Sequence, residues 1–172
     1  MGEVVKYGMI RSLPLFEKLM KGNIRENPAL LNEVIAECVS IKRDVVQNDE
    51  FDTGERMILN FGHTFGHAIE KYMGYGSIPH GKAVAIGMYM ITKAAERDGR
   101  TEKGTSEKLK KCLEANSLPF HSDIDAEKLY ALSAGDKKRT SDKIRIVLCP
   151  EAGKSVILPM TLGEYKKFLE LI

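Results

Sequence analysis

Gly54-Glu55-Arg56-Met57-Ile58-Leu59-Asn60-Phe61-Gly62-His63-Thr64-Phe65-Gly66-His67-Ala68-Ile69-Glu70 is the stretch that decides how this 172-residue chain is read. Wound as a helix at about 100° per residue, Arg56, Asn60, His63 and His67 share an arc of roughly 60°. Met57, Ile58, Phe61, Phe65, Ala68 and Ile69 fill the opposite side. The periodicity therefore predicts one helix from Gly54 to Met73 with a packed face and a polar face. A solvated face is the plainest account of the polar stripe. Two features favour a binding face instead. Exposed helix faces ordinarily carry Lys and Glu, whereas this one offers a guanidinium, an amide and two imidazoles. Gly62 and Gly66 also fall mid-helix, each costing about 1 kcal/mol against Ala, which a helix tolerates where something approaches its backbone closely.

Outward from this stretch the same period persists. Residues 2 to about 20 carry Val4, Val5, Met9, Ile10, Leu13 and Leu15, interrupted by Pro14. Asn27-Pro28 reads as an N-cap followed by proline at the first helical position, opening a helix to about Val46. Residues 48–54 are polar and acidic and read as a loop, and residues 74–79 form a Gly/Pro breaker. Residues 80–97 are apolar enough for a buried central helix ending at Gly99, and shorter helices are expected over 106–115 and 126–134. The period then changes to two. Ile144, Ile146 and Leu148 alternate along one run, with Val156 and Leu158 across Gly153, which predicts a β-hairpin. A last amphipathic helix over about 162–171 closes the chain. The expected fold is one mostly α, multi-helical domain over residues 1–172 with a small β-hairpin near the C-terminus.

Composition excludes several classes. Lys and Arg number 26 against 24 Asp and Glu, leaving a net charge of +2, with the basic residues scattered. No electrostatic footprint for nucleic acid results. No apolar run approaches the roughly 20 residues that span a bilayer, and the N-terminus lacks a signal peptide's apolar segment. Cys38, Cys112 and Cys149 are widely spaced with no CxxC, so neither a disulfide framework nor a thiolate zinc site is indicated. A reducing cytoplasm is the expected location, with neither nucleic acid nor membrane as partner.

The histidines carry the sharpest chemistry. His80 follows Pro79 and would begin the helix after the one holding His63. Two imidazoles and a carboxylate suit Zn²⁺ with an open coordination position, the pattern of a catalytic site. Spacing alone does not establish this, and His121 reads as an ordinary surface residue. Glu3 and Lys6 share a helical face at i, i+3, where the plain account is a surface ion pair worth a few tenths of a kcal/mol. Lys42-Arg43 and Asp136-Lys137-Lys138-Arg139 read equally well as solvated charge.

Taken in order, these residues resemble one family. Glu3-Val4-Val5-Lys6-Tyr7-Gly8, Lys42 before Val45-Val46-Gln47-Asn48-Asp49-Glu50, the Gly54–Glu70 block, His80-Gly81-Lys82-Ala83-Val84-Ala85-Ile86-Gly87-Met88 and Asp136-Lys137-Lys138 are similar to segments of 3-dehydroquinate synthase. The resemblance runs over nearly the whole chain, and the Asn60–Glu70 block is its most specific part. It implies an enzyme about twice this length, with an N-terminal Rossmann-like NAD-binding half that is absent here and a helical half holding metal and substrate. No GxGxxG turn occurs in the chain, in agreement. The resemblance implies that Glu3, His63 and His80 ligate Zn²⁺ (or Co²⁺). It also implies that Lys6, Lys42 and His67 serve catalysis, and that Arg56, Asn60 and a lysine of the Lys137-Lys138 pair bind substrate, Lys138 being the favoured one.

The implied reaction belongs to the shikimate pathway leading to chorismate and the aromatic amino acids. A phosphorylated seven-carbon keto-acid sugar, 3-deoxy-D-arabino-heptulosonate 7-phosphate, would become 3-dehydroquinate and phosphate through a phosphate-eliminating lyase. The cationic residues suit such an anion. Lacking a nucleotide half, the 172 residues alone are expected to be inactive. An apolar face that packs on that half could instead pair two copies as a homodimer. The family usually has Glu where this chain has Lys82, which would weaken the metal if it pointed inward. Related sugar phosphate cyclases, a metal-dependent polyol dehydrogenase and a non-enzymatic helical module are the alternatives.

Overall fold

In the computed structural model, residues 1–22, 24–51, 54–74, 76–134 and 142–172 are described. The helices are α1 (Gly2–Arg11), α2 (Leu13–Met20), α3 (Pro28–Asn48), α4 (His63–Met73), α5 (His80–Arg97), α6 (Thr105–Ala115), α7 (Ala126–Ala134) and α8 (Leu162–Leu169). Short 3-10 turns occupy Ile24–Glu26 and Glu55–Asn60, and β1 (Lys143–Glu151) pairs antiparallel with β2 (Lys154–Thr161). This is the mostly helical domain with a C-terminal hairpin that the periodicities predict.

Local chemistry sets the boundaries. Ser12 ends α1, and its hydroxyl accepts from the Leu15 N–H at 3.1 Å to cap α2, with Pro14 in the first turn. Asn27 caps α3 in the same way through the Leu30 N–H at 3.2 Å. Thr161 and Glu164 form a reciprocal capping box on α8.

Helix α5 is the hub. Ala83, Val84, Ala85, Ile86, Met88, Met90, Ile91, Ala94 and Ala95 are buried on nearly every side of it, the signature of a helix enclosed by others. It packs against α1, α4, α6, α8 and β1. On β1, Ile144, Ile146 and Leu148 enter the core. The hairpin turn docks on the α1–α2 junction, where the Gly153 N–H donates to the Met9 carbonyl at 2.9 Å.

One expected element differs. The single helix over Gly54–Met73 is a 3-10 turn ending at Asn60 and a separate α4 starting at His63. The break is at Gly62, whose φ of +78° is left-handed. A Cβ there would lie 2.5 Å from Met88 Cγ and 2.8 Å from the Val84 carbonyl oxygen. Gly62 is therefore a junction residue pressed on α5. Gly66 does lie within α4, and a Cβ on it would meet the Val84 backbone at 3.1 Å. What approaches both glycines is α5.

Candidate metal centre

Three helix starts converge. Glu3 is the second residue of α1, His63 the first of α4 and His80 the first of α5. Gly2 lies so close to Gly81 that a Cβ on Gly2 would collide with the Gly81 carbonyl. This contact brings the start of α1 onto the start of α5. Glu3 Oε1 stands 3.5 Å from His63 Nε2 and 3.9 Å from His80 Nε2. One ligand atom from each of the three residues falls within 4.8 Å of the others. The His63 and His80 ring centroids are 5.2 Å apart, and His67 completes a triangle at 5.7 and 5.6 Å.

Polar satisfaction in this cluster is uneven. Lys6 is buried and its Nζ donates to Glu3 Oε2 at 2.6 Å. Glu3 Oε1 is sealed from solvent and has no hydrogen-bond partner among the described residues. A buried carboxylate oxygen without a partner costs on the order of 1–3 kcal/mol, unless something positive sits against it. A divalent cation bound by two neutral imidazoles and this oxygen would satisfy it, so the donor set fits a borderline metal such as zinc.

Electrostatics agree. Burial pushes the Glu3 carboxyl up, but the hydrogen bond and charge of Lys6, together with the two imidazoles, outweigh it and hold the group below its ordinary range. Burial, then the Lys6 charge, pulls His63 below the ordinary imidazole value. Near neutral pH His63 is thus uncharged with a lone pair available, as a metal ligand must be. The positive ends of the α1, α4 and α5 dipoles act in the same sense, favouring the carboxylate and disfavouring imidazolium.

Beside the triad lies an open cavity of about 560 Å³. Met57, Asn60, His63, Thr64, His67 and Lys71 line it from the Glu55–Asn60 turn and α4, and Leu132, Ser133, Lys143, Arg145 and Val147 from α7 and β1. Of the residues expected in the site, Asn60, His63 and His67 therefore face one cavity, and Glu3, Lys6 and His80 cluster with His63. Lys6 contacts Glu3 directly. Arg56 is not part of the cavity wall; its Nη1 donates to the Glu50 carbonyl at 3.1 Å. The 3-10 winding of Glu55–Asn60, at about three residues per turn, sets Arg56 about 120° from Asn60 and so off the stripe the two would share in one α-helix. Lys42 is exposed on α3 and does not line the cavity. Lys82 is exposed on α5. Lys137 and Lys138 lie outside the described residues. His121 is a surface residue facing Asp123, as expected.

Sequence reasoning missed the cations Lys71, Lys143 and Arg145. Lys71 sits one turn beyond His67 on the same helical stripe, so the stripe could have yielded it. Lys143, Arg145 and Val147 alternate with the core residues of β1, but only the docking of the hairpin shows that this face meets the histidines.

A family profile described as 3-dehydroquinate synthase C-terminal matches residues 1–139. The chain belongs to that family. It is 45% identical over its full length to the 3-dehydroquinate synthase of Clostridium acetobutylicum, of which it spans 49%. It is 39% identical to that of Streptococcus pneumoniae, with 98% of the chain and 48% of the relative aligned. The chain thus spans about half the length of the curated relatives it matches. In three dimensions it superposes on the 2-epi-5-epi-valiolone synthase ValA of Streptomyces hygroscopicus subsp. jinggangensis 5008, a structure with NAD⁺ and Zn²⁺ bound, with a TM-score of 0.82 at 20% identity. That match covers 98% of this chain and 49% of ValA, and establishes a shared fold. A 2-deoxy-scyllo-inosose synthase complexed with carbaglucose-6-phosphate, NAD⁺ and Co²⁺ superposes with a TM-score of 0.78 at 25% identity, over 98% of this chain and 49% of that one.

Proposed function

We propose that this chain is the metal- and substrate-binding half of a 3-dehydroquinate synthase. It would act with an N-terminal NAD-binding half on 3-deoxy-D-arabino-heptulosonate 7-phosphate in the shikimate pathway. The observation that carries this reading is Glu3 Oε1, buried, unpaired and flanked by His63 Nε2 and His80 Nε2. Relatives at 39–45% identity named 3-dehydroquinate synthase favour this substrate over those of the cyclases matched at 20–25%.

Glu3, His63 and His80 would hold Zn²⁺ or Co²⁺. The bound metal supplies Lewis acidity toward substrate hydroxyls. Lys6 neutralises Glu3 and fixes its carboxylate so that Oε1 is the oxygen turned to the imidazoles. Asn60 and His67 offer hydrogen bonds to a ligand in the cavity, and Lys71, Lys143 and Arg145 supply the charge that a phosphorylated keto acid needs. These groups position and neutralise, the roles that an elimination of phosphate followed by ring closure demands of its surroundings. Lys42, Arg56 and a lysine of the 137–138 pair would complete the substrate contacts once the second half closes over the cavity.

Three buried free cysteines suit a reducing cytoplasm. Among the described residues no helix is long and apolar enough to cross a membrane.

Zinc titration against a chromophoric chelator tests the core of this reading. One zinc per chain is expected, lost in both His63→Ala and His80→Ala. Absence of metal binding in the unmodified chain would favour a non-enzymatic helical module. The 172-residue polypeptide by itself is expected to form no dehydroquinate, and turnover by it alone would overturn the division of labour.

A further inference from the structure

Glu70 has no assigned role, yet it touches two of the three clustered imidazoles. Its Oε1 lies 3.1 Å from His80 Nδ1 and its Oε2 lies 3.0 Å from His67 Nδ1. A carboxylate offers acceptors only, so both Nδ1 atoms must carry the hydrogen. His63 is restrained in the same way, with Nδ1 at 3.2 Å from the Phe61 carbonyl oxygen, which can only accept. Each ring of the cluster is therefore held through Nδ1, which in the neutral ring leaves the lone pair on Nε2.

We propose that Glu70 is a positioning residue: through one bridging carboxylate it fixes the tautomer and ring orientation of His80, the metal ligand, and of His67, the cavity wall. The proposal rests on the metal reading given above for its His80 half.

Several features support positioning over direct ligation. Glu70 reaches the Nδ1 side of His80, whereas Glu3 stands on its Nε2 side. Both Glu70 oxygens are already engaged, while Glu3 retains the unpaired one. Glu70, His67 and His80 could in principle form a second ion site. That arrangement would draw on His80 Nδ1, and a ring already bound to one cation through Nε2 could take a second there only as an imidazolate, giving up the hydrogen it donates to Glu70. Placement on α4 explains the reach. Glu70 follows His67 by three residues, on the same helical face, and α5 starts beside it. One rigid helix thus carries the proposed ligand His63, the cavity imidazole His67 and the carboxylate that holds His67 and, across on α5, His80.

The test compares Glu70→Ala and Glu70→Gln with the unmodified chain. Chelator competition should show zinc affinity reduced about 10- to 100-fold in Glu70→Ala, the range typical of outer-shell partners. Glu70→Gln keeps one acceptor oxygen and should fall between the two. At saturation both variants should still bind one metal, and the Co²⁺ absorption spectrum should keep the unmodified band pattern. Unchanged zinc affinity in Glu70→Ala overturns the proposal, as does a Co²⁺ spectrum altered in the manner of His80→Ala, which would make Glu70 a ligand.

A second measurement needs neither metal nor a variant. Imidazole ¹⁵N spectra of the metal-free chain at pH 8 should place the hydrogen of His80 and His67 on Nδ1. Finding it on Nε2 in either ring refutes the bridge. Zinc binding that survives His63→Ala and His80→Ala would sink the metal reading alone, because the tautomer measurement stands apart from it.

Discussion

Glu3 and Glu70 approach His80 from opposite sides, and they meet different fates. Glu3, on α1, is held by Lys6 through one oxygen and leaves the other buried, unpaired and aimed at two Nε2 atoms. Glu70, on α4, has both oxygens in hydrogen bonds to Nδ1 atoms. In both residues burial pushes the carboxyl up and hydrogen bonds outweigh it, so both stand below the ordinary carboxylate range. Ionisation therefore does not distinguish them. The difference lies in which atom is left unsatisfied. A carboxylate with a sealed, idle oxygen is arranged to meet a cation that the side chains do not provide, whereas one with two engaged oxygens holds other groups in place.

The comparison breaks most visibly at Glu3. Glu3→Gln preserves size and one carbonyl oxygen but removes the charge, and zinc affinity should drop by more than the roughly 100-fold ceiling for outer-shell changes. Chelator competition on Glu3→Gln and Glu70→Gln side by side gives the contrast directly. Equal losses would erase the distinction between ligand and positioning residue.

A smaller effect is expected across the cavity. Arg145→Ala removes a cation that β1 contributes to the cavity lining, so affinity for a sugar phosphate should fall about tenfold, the scale of one charged hydrogen bond. Zinc affinity should stay as it was. Calorimetric titration with each ligand separates the two, and a loss of zinc affinity would show that the hairpin face supports the metal rather than the anion.

The smallest effect belongs to a carboxylate with no part in the site. Glu96 accepts from the Gly104 and Ser106 N–H groups, each at 2.8 Å, and so caps α6 from α5. Burial raises its carboxyl, but these bonds outweigh it and hold the group below its ordinary value of 4.5. Its stabilisation is thus complete above that unfolded-state value and is lost as pH falls through the lower folded-state one. Glu96→Gln should cost about 1 kcal/mol at pH 7 in urea unfolding, and the gap should close in acid. A gap that stays constant as the pH is lowered would mean the loss is one of packing.

The stripe containing His63 and His67 shows both the reach and the limit of sequence reading. Periodicity located helical structure there, the packed residues Phe65, Ala68 and Ile69, and the two imidazoles on one side. It could not tell that Gly62 breaks the helix. A glycine mid-pattern looks alike whether it sits within a helix or takes a positive φ between two of them, and the nearness of Met88 and Val84 decides which. Nor could it tell that residues before the break wind as a 3-10 turn, at about three residues per turn, which leaves Asn60 on the cavity and Arg56 off it. Glu70 stood in the quoted block, but its partner His80 is ten residues away across a Gly/Pro turn. Spacing gives no direction at that distance.

By itself the sequence determined the helical class, the C-terminal hairpin, the cap-defined start of α3, and the family to which the chain belongs. These rest on local chemistry: hydrophobic period, side-chain caps and ordered motifs are all written within a few residues of one another. Tertiary structure alone decided that three helix starts meet at one point, that Glu3 keeps an idle oxygen there, and that the hairpin supplies a cationic wall. Those facts depend on close approaches such as Gly2 on Gly81 and Gly62 on α5, contacts between segments far apart in the chain that no local pattern encodes.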